Sequence, residues 1–297
     1  MDAAALNNER KARLMALCAV LLWSTVATGF KLGLEVLTPL QLLFLGSCAS
    51  TVVFAAAAVR KGWPIQGFNL REGMLFALCN PILYYLVLFE AYDRLPAQIA
   101  QPLNYTWAIM LAILAIPILK QRLSRRTITG IVISYLGVVV LLSQGRLDRL
   151  PELAWIGVAL ALASTLLWAL YWLYNARSKT PPEALMATSF LLATPLLGIA
   201  CALGPGWPEI SRETLFYGAW VGIIEMGVTF LLWQKALKLT HHAARLGQLI
   251  FLSPFLSLLL IGAVLEETIH VTSWLGLTII VLGLLTTGQA ATNAVRD

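Results

Sequence analysis

Long apolar runs separated by short polar connections dominate this chain. Ten such runs can be marked, and each is near the roughly 20 residues that a helix needs to cross a bilayer. Backbone N–H and C=O groups must be paired within hydrocarbon, so continuous runs of this length predict transmembrane helices, and they lack the polar–apolar alternation of barrel strands. The predicted spans are 14–33, 38–59, 72–92, 97–119, 127–144, 154–175, 183–203, 214–236, 243–264 and 272–290.

The composition supports an integral membrane protein of the all-α class. Of the 297 residues, 59% are hydrophobic and only 12% are charged, and the mean hydropathy is +0.78. A soluble domain has about 25% charged residues, so this chain cannot cover a water-facing surface, and the lipid bilayer is its predicted surrounding. The net charge of +6 is spread over short loops. No basic domain grips a phosphate backbone, and no nucleic-acid partner is predicted.

The lysines and arginines predict the orientation of the spans. Sixteen of the 21 fall on the side of the N-terminus if the ten spans alternate. Cytoplasmic loops carry the excess of positive charge, so both termini are predicted to be cytoplasmic. The five on the opposite side are Lys31, Arg94, Arg146, Arg149 and Arg212.

Metal, disulfide and enzyme chemistry are not predicted. The cysteines lie inside apolar runs without a CxxC pair, which is typical of small buried residues, so no cofactor is expected. The chain has no HExxH or GxSxG motif. The first apolar run leads into further spans, so no cleavable signal peptide is expected. The four cysteines are Cys18, Cys48, Cys79 and Cys201.

The second half of the chain repeats the first. A shift of 146 places Gly130 on Gly276 and Gly137 on Gly283, and a shift of 145 places Trp23 on Trp168. The predicted domains are 1–145 and 152–291, each with five helices. Because five is odd, the second copy enters the membrane from the opposite side. Inverted repeats of this kind build alternating-access transporters, with the substrate site between the halves near the midplane.

These features also resemble a known family. The repeated tryptophans, a proline segment followed by Leu-Glu-Glu and a closing two-glycine helix resemble the EamA-type branch of the drug/metabolite transporter (DMT) superfamily. The run PAQIAQPLNYTW, 96–107, resembles bacterial aromatic amino acid exporters of the YddG type. The residues that carry the broader resemblance are Trp23, Trp168, Pro254, Leu265, Glu266, Glu267, Gly276 and Gly283.

The resemblance implies a ten-helix exporter of aromatic and other hydrophobic amino acids in a bacterial inner membrane. The central cavity would be lined mainly by helices 1, 3, 4, 6, 8 and 9, and a single chain could close it. Gln121 stands where the family usually has an acid, so Glu267 is expected to be a loop or cap residue. The alternatives are an exporter of other small metabolites or drugs in the same superfamily, and a non-transporting structural or sensory membrane protein.

Helix 4 and helix 6 carry polar and aromatic residues that a helix facing only lipid would not hold. In helix 4, the amides Gln98 and Gln101 either line a cavity or join the helix to its neighbours. In helix 6, Trp168 is too deep for the interfacial position that tryptophan favours. Aromatic side chains can stack on an aromatic substrate and attract its ammonium group.

Glu225 is the deepest predicted carboxylate, midway along helix 8. Such a group should face water, have a partner or be protonated. Glu225 is therefore predicted to bind the substrate ammonium or to couple transport to proton movement. The alternative is a structural hydrogen bond to a neighbouring helix. Gln248 of helix 9 is expected to face the same region from the opposing half. No catalytic or metal-binding residue is predicted. The predicted substrate-binding residues are Tyr84, Gln101, Asn104, Tyr105, Trp107, Trp168, Tyr171, Glu225 and Gln248.

Overall fold

Helices form every regular element in the part of the chain that the computed structural model describes, residues 3–60, 70–119, 124–146, 154–175, 177–242 and 246–293. Two π-helical segments, Leu78–Leu83 and Val221–Val228, and a 3₁₀ segment, Gln248–Leu252, lie within longer rods. The α-helices are α1 Ala3–Ser24, α2 Val26–Val36, α3 Pro39–Val59, α4 Leu70–Ala77, α5 Tyr84–Arg94, α6 Ala97–Tyr105, α7 Trp107–Leu119, α8 Arg125–Leu142, α9 Trp155–Asn175, α10 Pro182–Leu203, α11 Arg212–Trp220, α12 Thr229–Leu239, α13 Ser253–Val264 and α14 Val271–Asn293.

Eight helical rods among the described residues are long and apolar enough to cross a membrane, from Asn7–Val36 to Arg212–Leu239. Two shorter apolar helices follow, Gln248–Val264 and Val271–Thr286. These rods lie where the sequence predicts spans, and the all-helical class is confirmed for the described residues. The number ten stays a prediction, because the last two helices are shorter than the others.

Hydroxyl side chains mark the breaks inside two rods. Thr25 separates α1 from α2 and donates its hydroxyl to the Leu22 carbonyl at 2.7 Å. Thr106 separates α6 from α7 and donates to the Leu103 carbonyl at 2.7 Å. Such side chains compete with the backbone for helical carbonyls and bend the helix. Pro102 lies inside α6, four residues before this interruption.

The two π-helical segments occupy equivalent places in the two halves. Asn80, which precedes Pro81, has non-helical backbone angles (φ −150°, ψ 114°), as expected for a proline within a span. The shift of 145 that pairs Trp23 with Trp168 also pairs Asn80 with Glu225, which lies in the second π segment. Segments of this kind are frequent at functional sites, because they turn side chains out of the regular helical register.

The closing helices of the two halves, α8 and α14, cross with backbone against backbone. A Cβ atom on Gly137 would lie 2.7 Å from the Gly276 carbonyl oxygen, and a Cβ on Gly283 would lie 2.5 Å from the Gly130 carbonyl oxygen. The shift of 146 exchanges these two contacts, since it places Gly130 on Gly276 and Gly137 on Gly283. The sequence repeat is therefore matched by a reciprocal contact in the structure.

Other packing is reciprocal in the same way. Helix α1 packs against α12, and its equivalent α9 packs against α5. Ser134 of α8 donates its hydroxyl to the Ile280 carbonyl at 3.0 Å, and the shift of 146 pairs these two residues. The halves therefore pack against each other through equivalent helices, and ring contacts join α9 to both α5 and α12.

Glu267 holds the N-terminus of α6. Its carboxylate accepts the backbone N–H groups of Ala97 at 2.8 Å and Gln98 at 3.2 Å. A negative group in this position satisfies free helical donors and complements the helix dipole. The cap role expected for Glu267 agrees with this geometry. Gln121, its partner under the shift, lies outside the described residues.

Candidate functional site

Six aromatic side chains from three helices form one cluster between the halves, which we call the aromatic cluster. Trp168 of α9 is its centre: it stacks on Tyr84 of α5 with ring centroids 4.4 Å apart and on Tyr171 at 5.2 Å. Trp172 stacks on Phe230 of α12 at 5.9 Å. Rings from both halves thus share one set of contacts. The members are Tyr84, Tyr85, Trp168, Tyr171, Trp172 and Phe230.

A polar chain borders the cluster. The Tyr84 hydroxyl donates to Asn104 Oδ1 at 3.5 Å, and Asn104 Nδ2 donates to Ser164 Oγ at 3.1 Å. These three residues belong to α5, α6 and α9. Asn104 is therefore held in one amide orientation beside the stacked rings, with its side chain only partly buried.

Glu225 joins the cluster through Tyr85. The Tyr85 hydroxyl donates to Glu225 Oε1 at 3.2 Å, and the Tyr85 ring lies 4.7 Å from that of Tyr84. The indole of Trp23 also lies beside the carboxylate. Glu225 Oε2 is buried without a hydrogen-bond partner among the described residues. One carboxylate oxygen is therefore anchored and the other is left for a ligand or a proton.

Buried polar atoms without partners occur near this centre. Thr229, one turn after Glu225, is fully buried and its hydroxyl has no partner among the described residues. Gln101 Oε1 and the Trp172 indole N–H are also buried without a hydrogen-bond partner among the described residues. Burying a polar group without a hydrogen bond costs about 1–3 kcal/mol, so such groups point to water or a ligand as the missing partner.

The remaining predicted residues are less closely joined to the cluster. Tyr105 is partly buried and faces Ser253 of α13. Trp107 is partly buried at the start of α7 and makes no ring contact with the cluster among the described residues. Gln248 opens the 3₁₀ segment with an exposed side chain. Tyr171 is fully buried, and its hydroxyl lies 3.7 Å from Met186 Sδ. Its ring packs against Trp168 and is not accessible to a ligand.

Gln98 has a structural role. Its side chain donates to the Thr268 carbonyl at 3.0 Å and accepts from the His270 N–H at 3.2 Å and the Ser273 hydroxyl at 2.8 Å. Both polar atoms of the amide are thus used to join α6 to the loop before α14 and to the first turn of α14. Of the two interpretations open for this residue, attachment to neighbouring helices fits the contacts.

The sequence reasoning missed Tyr85 and Trp23, which lie beside the carboxylate, and Phe230 of the aromatic cluster. Tyr85 and Glu225 are 140 residues apart, and no local pattern reports such a pair. Trp23 could have been found from the sequence, because the repeat pairs it with Trp168, which was predicted to bind substrate. No group of three or more His, Cys, Asp or Glu side chains that could hold a metal occurs in the described part of the chain.

Comparison with known proteins identifies the family. The EamA-like transporter family matches residues 10–143 and again residues 155–288, which together are most of the chain. The chain belongs to the EamA-like transporter family. Its two matches coincide with the two halves that share the aromatic cluster, so this EamA-like protein places its aromatic side chains between its family repeats.

Relatives of this EamA-like protein carry transporter names. An uncharacterized transporter of Archaeoglobus fulgidus is 26% identical over 234 residues, covering 76% of this chain and 80% of the relative. The uncharacterized transporter YyaM of Bacillus subtilis is 25% identical over 185 residues, covering 60% of each. A crystal structure at 23% identity matches 95% of this chain and 98% of its own with a TM-score of 0.67, which supports the fold. Together with the apolar helices, these matches indicate a multi-pass membrane transporter rather than an enzyme.

Proposed function

We propose that this protein is a secondary exporter of aromatic and other hydrophobic amino acids. Ten spans, arranged as two inverted five-helix halves, would expose the central site to each side of the membrane in turn. The observation that carries the proposal is the aromatic cluster, whose rings come from both halves and stack at 4.4 and 5.2 Å around Trp168. Movement of one half against the other would rearrange the site, as alternating access requires.

The groups at the site suit an aromatic amino acid. A substrate ring could stack on Tyr84 or Trp168, and each such pair contributes about 0.5–1.5 kcal/mol beyond area burial. The free oxygen of Glu225 could accept the ammonium group. The amide of Asn104 and the hydroxyl of Thr229 offer neutral partners to the carboxylate. The substrate would exchange its hydration for these contacts without a metal or a cofactor.

The same proposal includes the cellular setting. The excess of positive charge on one side supports a cytoplasmic position for both termini, and the resemblance to bacterial exporters supports a bacterial inner membrane. A single chain would be the working unit, because the cluster draws on both halves of one chain. Substrate would then move from the cytoplasm outwards.

The deciding experiment is transport in proteoliposomes that contain the purified full chain. Labelled tryptophan, phenylalanine and threonine are offered, and protein-free vesicles give the background. We expect tryptophan and phenylalanine to move faster than background, with threonine slower because it has no ring to stack. Failure of every amino acid to move would refute the substrate class while leaving the family assignment intact.

A further inference from the structure

The carboxylate of Glu225 has no basic counter-ion among the described residues. The ion pairs seen there involve Arg94 and Lys238, each at a helix end. None of these ion pairs includes Glu225, and the groups that act on its carboxylate are Tyr85 and Trp23. A buried anion without a counter-ion is costly, so a cationic partner at this position would be stabilising.

Basic residues on the packed elements are held elsewhere or lie far away. The π segment that carries Glu225 packs against α1, α2, α3, α11 and α12. Lys31 of α2 donates to the carbonyls of Tyr92 at 2.8 Å and Leu95 at 3.2 Å, which close the end of α5. Lys235 follows Glu225 on the same rod at about 15 Å, and Arg212 precedes it at about 20 Å, at 1.5 Å per residue.

The other charged residues on these elements lie near helix ends or, in α1, at least ten residues before Trp23. In α1, Glu9 is bonded to Thr240 and His241 beyond the end of α12. Glu35 ends α2 and Glu213 begins α11. Helix α3 carries no charged residue. The remaining members of this set are Arg10, Lys11, Arg13 and Lys238. The middle of the site therefore holds one carboxylate and no positive charge among the described residues.

This charge balance distinguishes between substrates that share a ring. A protonated amine brings one positive charge, which the Glu225 carboxylate can neutralise, while Tyr85 and Trp23 turn their hydrogen-bonding groups toward the same carboxylate. An amino acid brings a carboxylate as well. That carboxylate would find only amide and hydroxyl donors and would be repelled by Glu225.

We infer that the site accepts protonated aromatic primary amines without a carboxylate, in preference to amino acids with the same ring. Glu225 is the counter-ion of the ammonium group, and the aromatic cluster is the stacking surface for the ring. The inference rests on the proposed transport function, because it places the amine in the same site. It goes further by stating which charge the preferred substrate carries.

The experiment compares pairs that differ only in the carboxylate: tryptamine with tryptophan, and phenethylamine with phenylalanine. Proteoliposomes of the full chain are used, and protein-free vesicles correct for passive diffusion of the amines. Competition is measured as well, because tryptamine that occupies the site must slow labelled tryptophan even if some amine leaks. We expect tryptamine to compete about tenfold better than unlabelled tryptophan, the size of a modest charge-pair contribution.

Variants assign the effect to the carboxylate. Glu225→Gln keeps the shape and removes the charge, and we expect amine transport to fall about tenfold or more while tryptophan transport falls less. Glu225→Asp keeps the charge, and we expect it to retain part of the amine preference. Glu213→Gln removes an exposed carboxylate on the same rod and should change neither rate. Size-exclusion profiles check that each variant is folded.

The outcomes separate the two proposals. Transport of tryptophan with no competition from tryptamine would overturn the inference and leave the proposed function standing. Transport of tryptamine without tryptophan would support the inference and refute the amino acid class. If neither moves or competes, both fail. An unchanged amine-to-tryptophan ratio in a folded Glu225→Gln variant would also overturn the inference, because the charge would then have no part in the choice.

Discussion

The crossing of α8 and α14 gives a prediction whose size can be worked from the structure. Replacing Gly137 by alanine would place a Cβ 2.7 Å from both the Gly276 carbonyl oxygen and the Ile280 backbone nitrogen. Ordinary contacts begin near 3.4 Å, so the new atom would be roughly 0.7 Å too close. Both neighbours are backbone atoms of a helix, and no flexible side chain can yield. The helices must therefore separate along the crossing.

Overpacking of this kind costs about 1–3 kcal/mol, and the lost contacts extend along both helices. We expect Gly137→Ala to lower the fraction of monodisperse protein that survives a heating series in detergent. The matched control is Gly247→Ala, because nothing lies within 4 Å of a Cβ at that position. Survival is read from the size-exclusion peak after each temperature.

A double variant tests whether the two glycines act at one contact. Gly276→Ala alone should be as harmful as Gly137→Ala, since its Cβ would lie 2.7 Å from the Leu141 backbone nitrogen and 2.8 Å from the Gly137 carbonyl oxygen. Once one substitution has separated the helices, the second has less to disturb, so the double loss should be smaller than the sum. If Gly137→Ala survives heating as well as Gly247→Ala, the close crossing described above is wrong.

The remaining predictions concern the site and its supports. Trp168→Ala should reduce aromatic amino acid transport about tenfold while expression is kept, because it removes the ring on which Tyr84 and Tyr171 stack; the exposed Trp207→Ala is the control, and equal rates would show that the cluster is not the site. Glu267→Gln should lower thermal survival by the equivalent of about 1 kcal/mol, because the charged cap of α6 is weakened; survival equal to that of the parent protein would show that the charge of Glu267 does not stabilise α6. Gln98→Ala should be more harmful than Glu267→Gln, at about 2–3 kcal/mol, because it leaves buried partners unsatisfied; a heating series on both variants checks the order.

Continuous apolar length predicted the positions of individual helices, while the count of ten spans and the domain bounds stay predictions. Runs such as 38–59 and 183–203 coincide with α3 and α10 within about two residues. The glycines at 130, 137, 276 and 283 were found as a repeat and are in contact in the structure. Both signals arise from strong local constraints: internal pairing of the backbone in hydrocarbon, and close approach that only glycine permits.

The structure brings some of the predicted site residues together and leaves others apart. Trp168, Tyr84 and Asn104 carried local signals, since aromatic and amide side chains at depth are unusual, and the structure brings them together. Gln248 carried the same kind of signal, but its side chain is exposed at the beginning of a 3₁₀ segment. The repeat placed Gln248 opposite helix 4, but the equivalent position there lies in the α-helix α6 and Gln248 begins a 3₁₀ segment, so equivalent positions do not direct their side chains alike.

The sequence by itself determined that this is a helical membrane protein built from two related halves, because apolar length and repeated glycines are properties of single segments. Only the tertiary structure decided which polar groups meet. Glu225 is joined to Tyr85, 140 residues away along the chain, and Glu267 caps a helix of the opposite half. Those pairings join residues of different halves, and a pattern within one helix carries no information about a distant partner. The surroundings of Glu225 are the clearest example. One of its oxygens has no hydrogen-bond partner and no basic neighbour in the described part of the chain, although it lies beside aromatic rings.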